Sequence, residues 1–238
     1  MSPESSCEAL AGRGWRSASL SAESVPHWFS FKRSPDPVAL ATLLSGDTAQ
    51  CVRARQVHGA RCVDAAECLG AMPPEADSIA SNSPELIPTV ATADCVPVLL
   101  WCPRSRSVAA VHAGWRGIVA GVIESTLSMM AKRFGASPAA MWAALGPCAG
   151  VARYEVGLDV ISAFTTAGLS SSLAPAPRSE KAFADCSRAA ATMLVRGGVP
   201  RASIDISGIC TIADTAYASH RREPSDRSRM IAAISIPR

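Results

Sequence analysis

The chain has 238 residues, with 23 Lys+Arg against 20 Asp+Glu and a formal charge of +3. Hydrophobic residues at 48% and charged residues at 18% exclude a disordered or coiled-coil protein, and so weak a charge argues against nucleic acid as a partner. No apolar h-region opens the sequence and no stretch is apolar enough to span a bilayer, so a leader and a membrane partner are not expected.

The length suits one domain. Nine cysteines, an odd number with no C-x-x-C pair, point to reduced thiols and a cytoplasmic protein. Residues 1–24 are rich in Ser, Ala, Glu and Gly and read as a loosely ordered extension, with the folded domain spanning 25–238. Short β-like runs follow at Val25–Phe31, Ala49–Val57, Arg61–Asp64 and Ala76–Ala80, with a turn at Met72–Glu75. Pro88–Thr92, Val96–Cys102 and Ser107–Val111 are Val-rich runs that suit buried sheet. The period then changes. Trp115–Phe134 reads as one long helix with a broad apolar face, stopped by Gly135. Ala140–Leu145 returns to strand. Asp159–Ala167 and Ala184–Val195 read as helices separated by a Ser/Pro/Ala-rich loop, and Ile204–Cys210 and Met230–Ile236 close as strands. Strands that follow each other this closely predict an α/β (α+β) domain of mixed topology.

Three places put a metal-capable side chain at the end of an apolar run: Gln56-Val57-His58-Gly59, Thr92-Ala93-Asp94-Cys95 and Val111-His112-Ala113-Gly114. Strand ends followed by glycine are where side chains project into pockets. Two imidazoles and a thiolate, with a fourth position left for water, suit a catalytic zinc. Spacing alone leaves open a plainer reading, in which Cys95 is a core thiol and His58 and His112 are hydrogen-bonded strand-end residues.

The motifs QVHG, ATADCVPVLL, VAAVHAGWRG, ALGPC…YEVG and ICT…ASHRR…RMIAAISI, in this order from about residue 49 onward, resemble the YfiH/laccase-domain family, also labelled polyphenol oxidase or peptidoglycan editing factor. The resemblance implies two packed mixed β-sheets flanked by helices. It implies a zinc site at His58, Cys95 and His112, with Cu2+ as the lesser alternative. It also implies purine nucleosides and phosphate as partners, through phosphorolysis of adenosine, inosine, guanosine and methylthioadenosine and hydrolytic deamination of adenosine.

On that reading several residues gain roles. Asp94 is a candidate proton shuttle to leaving ammonia, or equally a turn-capping residue, since strand alternation would point it away from Cys95. Gly114–Gly117 at the start of the long helix, with Arg116 and either Arg221 or Arg222, would hold phosphate. Gln56, two before His58 on one strand, would contact base or ribose, as would His220. Cys148 is a packing thiol or a pocket-lining one. The sequence departs from the family in a shortened segment before Gln56, in Ala190 where an Asn is usual, and in Ser228-Arg229 in place of Gly-Arg.

Three alternatives remain. A copper polyphenol oxidase needs far more ligands than four histidines provide. A peptidoglycan-editing cysteine hydrolase would use Cys95 as nucleophile and His112 as base. A metal-binding scaffold with a decayed pocket is the non-enzymatic reading.

Overall fold

The structure, a computed structural model, describes residues 14–32, 36–45, 49–178 and 180–238. The chain opens with β1 (Gly14–Trp15), α1 (Ala18–Ala22), β2 (His27–Ser30), α2 (Pro37–Ser45) and β3 (Gln50–Val52). It continues through β4 (Cys62–Asp64), β5 (Ser78–Ser81), β6 (Leu86–Thr92), β7 (Val96–Cys102) and β8 (Ser107–Ala113). Then come α3 (Trp115–Ala120), α4 (Val122–Phe134), β9 (Trp142–Leu145), β10 (Glu155–Val156) and α5 (Leu158–Thr166). Last are β11 (Leu173–Pro175), β12 (Ala182–Ala184), α6 (Cys186–Arg196), β13 (Ile204–Ile206) and β14 (Met230–Ile234).

Two mixed sheets carry the fold, as the family resemblance implies: five strands in the order β1-β2-β14-β6-β3 and six in the order β13-β9-β7-β8-β5-β4. Their inner faces meet through Phe29, Val90, Leu99, Trp101, Val108 and Ile234. The alternate residues of β7 and β8, among them Val98, Leu100 and Val111, point the other way and pack under the helices with Ile118, Ile123 and Met130. Burial on both faces is why these strands read as unbroken apolar runs. The outer face of the five-stranded sheet, at Trp28, Ile231 and Ala233, is covered by Leu40, Ala41 and Leu44 of α2. No helix among the described residues is long and apolar enough to cross a membrane.

The structure corrects four readings. The loose extension is ordered over the part described: Ser17 caps α1, and Leu20 is fully buried in the inter-sheet core. Residues 1–13 lie outside the described residues. The single long helix is two, because Gly121 adopts φ +90° and both ends α3 and begins α4. That break leaves Gly114 at the head of a helix of only six residues. A third sheet, β10-β12-β11, occupies part of the expected loop between α5 and α6. The strand expected over Ala49–Val57 ends at Val52, so strand alternation does not govern Gln56 or His58.

Candidate metal centre and cleft

Asp77 organises the site. It is fully buried just before β5 and accepts the backbone N–H groups of Val57 (3.2 Å), His58 (2.9 Å) and Gly59 (2.6 Å). Three successive amides converging on one carboxylate fix this loop and hold His58 at φ +61°, a conformation non-glycine residues rarely take. The same carboxylate bonds Nδ1 of His112 at 2.7 Å, and the His112 backbone N–H donates to the Asp77 carbonyl at 2.7 Å. With Nδ1 committed, the lone pair of His112 Nε2 is left to face the centre. Burial would raise the Asp77 carboxyl, but the bonds from His112 and Gly59 outweigh it and hold it below its usual range.

Cys95 lies in the bend between β6 and β7 rather than in a strand, so it and Asp94 both reach the cleft. The ligand atoms of His58, Cys95 and His112 all lie within 4.8 Å of one another, and the two imidazoles meet edge to face with centroids 4.7 Å apart. Burial would raise the Cys95 thiol, yet hydrogen bonds and charge from the two imidazoles pull it below an ordinary thiol. The same partners, Asp77 and Cys95, raise His112 against the effect of burial. The packing is close: a Cβ on Gly114 would stand 3.0 Å from Cys95 Sγ and 3.1 Å from His58 Cδ2. That approach explains the glycine after His112-Ala113. Two nitrogens and a sulfur, one imidazole oriented by a buried carboxylate and room left on the cleft side, fit a metal with an open position. Among the described residues no other His, Cys, Asp and Glu side chains are assembled in this way.

The centre lies at one wall of a cleft of about 630 Å³. Arg116 lines it, its guanidinium 4.4 Å over the Trp115 ring, and Arg221 lines it 4.9 Å over the Tyr154 ring. His220 also faces it. Arg222 does not: its guanidinium is bound to the carbonyls of Thr211, Asp214 and Tyr217, which decides between the two neighbouring arginines. Because α3 has only six residues, it brings no long helix dipole to this cleft, and the positive charge lining it is carried by guanidinium groups.

Three candidate residues have partners within the protein. Asp94 has φ +84°; one carboxylate oxygen accepts Thr211 Oγ1 and the other the Arg221 N–H, both at 2.7 Å. It braces the loop that carries His220 and Arg221, the capping role left open by the sequence. Gln56 lines the cleft but spends its amide on β6, donating to the Ala91 carbonyl and accepting the Ala91 N–H, each at 2.8 Å. Cys148 is buried, outside the cleft, and its backbone pairs with Cys210. It contributes packing, and burial pushes its thiol far up.

Arg53, Trp115, Tyr154 and Arg229 line the cleft unanticipated, as Asp77 underlies it. Asp77 sits beside Ser78 in the short run Ala76–Ala80, and no pattern around it marked it as part of a site. Arg229, in the Ser228-Arg229 pair noted above, is among these lining residues.

Fold and site together define an α/β domain with a His/Cys/His cluster able to hold a metal beside an arginine-lined cleft. The chain belongs to the family described as multi-copper polyphenol oxidoreductase laccase, whose model matches residues 38–237. A purine nucleoside phosphorylase of Deinococcus radiodurans is 34% identical over 209 residues, covering 86% of this chain and 79% of that protein. A purine nucleoside phosphorylase of Bacteroides thetaiotaomicron is 34% identical over 67% of this chain and 60% of its own length. The crystal structure of Bacillus licheniformis hypothetical protein YfiH shares the fold with a TM-score of 0.80 at 23% identity, covering 90% of this chain and 93% of that one.

Proposed function

We propose that the chain is a zinc enzyme of purine nucleosides that cleaves them with phosphate and, at the same centre, deaminates adenosine. The observation that carries this reading is the convergence of His58, Cys95 and His112 within 4.8 Å beside a cleft with guanidinium groups and flat aromatic faces. The names of the Deinococcus and Bacteroides relatives support the substrate class. The borderline-soft donor set of two imidazoles and a thiolate favours zinc, and four histidines are too few for several copper centres. The free thiols among the described cysteines fit a cytoplasmic setting.

A zinc ion held here would supply a Lewis acid and a readily ionised water. The chain supplies the rest. Asp77 keeps Nε2 of His112 directed at the centre. Trp115 and Tyr154 offer faces for a purine. Arg116 and Arg221 hold the phosphate that attacks C1′ of the ribose; the C1′–N9 bond breaks, its electron pair stays on the base, and the base takes a proton. Asp94 positions Arg221 through the bond to its backbone N–H. His220 contacts ribose or base.

Adenosine incubated with the purified protein, with and without phosphate, tests the reading by liquid chromatography. Adenine with ribose 1-phosphate only when phosphate is present is the expected result, with inosine forming in either case. No conversion in either condition overturns it.

One observation favours a second reading. The order Cys95, His112, Asp77 is that of a thiol hydrolase, with the imidazole oriented by a carboxylate. Tightly held zinc in a one-to-one ratio counts against it, because a zinc-bound thiolate is a poor nucleophile.

A further inference from the structure

Among the described cysteines, Cys148 and Cys210 alone stand directly opposite each other on paired backbone. The pairing is parallel: the Cys148 N–H donates to the Ile209 carbonyl at 3.2 Å, and the Thr211 N–H donates to the Cys148 carbonyl at 2.9 Å. Residues so opposed have Cα atoms about 4.8 Å apart, inside the span of about 4.4–6.8 Å that a disulfide bridges. Both cysteines line one cavity of about 380 Å³, which shares no residue with the metal-centre cleft. Cys210 is the partly exposed member and Cys148 the buried one. Gly150 makes the room for this arrangement. A Cβ there would stand 2.9 Å from Cys210 Cβ and 3.0 Å from its Sγ, and the Gly150 N–H donates to that sulfur at 3.2 Å. Packing accounts for Cys148 by itself, but not for a second thiol set opposite it in a cavity. The place also matters. Thr211, next to Cys210, donates Oγ1 to the Asp94 carboxylate at 2.7 Å, and Ala149, next to Cys148, donates its N–H to the Asp94 carbonyl at 2.9 Å. The two thiols therefore lie on the two segments that hold Asp94, the neighbour of Cys95.

We propose that Cys148 and Cys210 are an oxidisable dithiol, converted by hydroperoxides to a disulfide that staples together the two segments behind the metal centre. The proposal is independent of the nucleoside reading. Burial keeps the Cys148 thiol protonated, so the accessible Cys210 reacts first. Its sulfur attacks the hydroperoxide, the O–O bond breaks, an alcohol (water, from hydrogen peroxide) leaves, and Cys210 becomes a sulfenic acid. The Cys148 sulfur then attacks the Cys210 sulfur. The S–O bond breaks, and its hydroxyl departs as water with the proton of the Cys148 thiol. Two thiols thus lose two electrons and two hydrogens, and one O–O bond is reduced. The bridge closes the chain across residues 149–209, which restricts the unfolded state and raises the stability of the oxidised form.

Mass mapping of the purified full chain, supplied with zinc and treated with hydrogen peroxide, tests it. Free thiols are alkylated before digestion, and trypsin cuts between the two cysteines at Arg153 and Arg201. The expected product is the Cys148 peptide joined to the Cys210 peptide, released by dithiothreitol. It should come with an upward, dithiothreitol-reversible shift in Tm that Cys210→Ser does not show. Cys148 and Cys210 recovered only as separate alkylated thiols or as sulfinic acids would overturn the proposal, as would Cys148 joined instead to Cys186. A Cys148–Cys210 bridge that leaves Tm unchanged or lower overturns the stapling role. The wild-type map decides the pairing whatever the stability of the variant.

Discussion

Replacing Asp77 by Asn isolates the contribution of one carboxylate to the centre. Each of its oxygens serves two donors: Oδ1 takes His58 N–H and His112 Nδ1, and Oδ2 takes the Val57 and Gly59 N–H groups. An amide keeps the shape but turns one oxygen into an N–H donor, so one pair of donors must face another donor. If that pair is Val57 and Gly59, the loop carrying His58 loses its anchor. If it is His58 and His112, then Nδ1 must become the acceptor and the proton moves to Nε2, the atom needed for the metal. Metal affinity should fall by about 10- to 100-fold, the usual effect of losing an outer partner of a ligating histidine. The one or two buried N–H groups left without acceptors should remove about 2–3 kcal/mol of stability, or roughly 4–12 °C in Tm. Competition with a chromophoric chelator measures the affinity, and calorimetry on the metal-free protein measures the stability. A folded Asp77→Asn protein with wild-type metal affinity would refute the assignment of Asp77 as the residue that orients His112.

Other consequences follow from single side chains. Gly114→Ala brings a methyl to 3.0 Å from Cys95 Sγ, so metal content should drop while circular dichroism stays that of the wild type. Asp94→Ala frees Thr211 and the Arg221 N–H, and should lower turnover and speed proteolysis between His220 and Arg229 without loss of metal; an unchanged rate of nicking would count against the bracing role. In the metal-free protein, iodoacetamide should modify Cys95 with a half-maximal rate well below the pH of about 8.5 of an ordinary thiol. Stability of that form should nevertheless be nearly flat between the ordinary His and Cys values. His112, raised, contributes stability below the usual histidine range that fades as pH rises. Cys95, lowered, contributes stability above the usual thiol range that fades as pH falls, so over this window the folded and unfolded pair each hold one proton. A Tm that shifts steeply from about pH 7 to about 8.5 would contradict this pairing. Gly146→Ala drives a methyl into the Phe29 ring in the inter-sheet core and should destabilise the fold by about 1–3 kcal/mol in urea titration.

The parts of this molecule written in single residues were legible before the fold. The sheet core was legible because β7 and β8 are apolar on both faces, and the convergence of His58, Cys95 and His112 was suggested because each ends or follows an apolar run beside a residue that signals a turn. Asp77 was not legible: it is one acid among 20 acidic residues, and its partners, the backbone of 57–59 and a histidine 35 residues on, meet it only in the fold. The break at Gly121 was hidden because the apolar pattern continues across it, while the backbone there turns to φ +90°. The small β10-β12-β11 sheet escaped because strands of two or three residues carry too little alternation to register. The strand alternation invoked for Gln56 failed for a related reason. Its alternation with His58 is real in sequence, but β3 has already ended four residues earlier, and the side chain turns back to clamp Ala91.

Metal analysis of the purified chain beside its Cys95→Ala variant tests the central assignment most directly. Close to one zinc per wild-type chain is predicted, falling to a small fraction in a variant that remains soluble and folded. Full occupancy in Cys95→Ala, or a wild-type chain that takes up no zinc when supplied with it, would contradict the His58/Cys95/His112 centre on which the account stands.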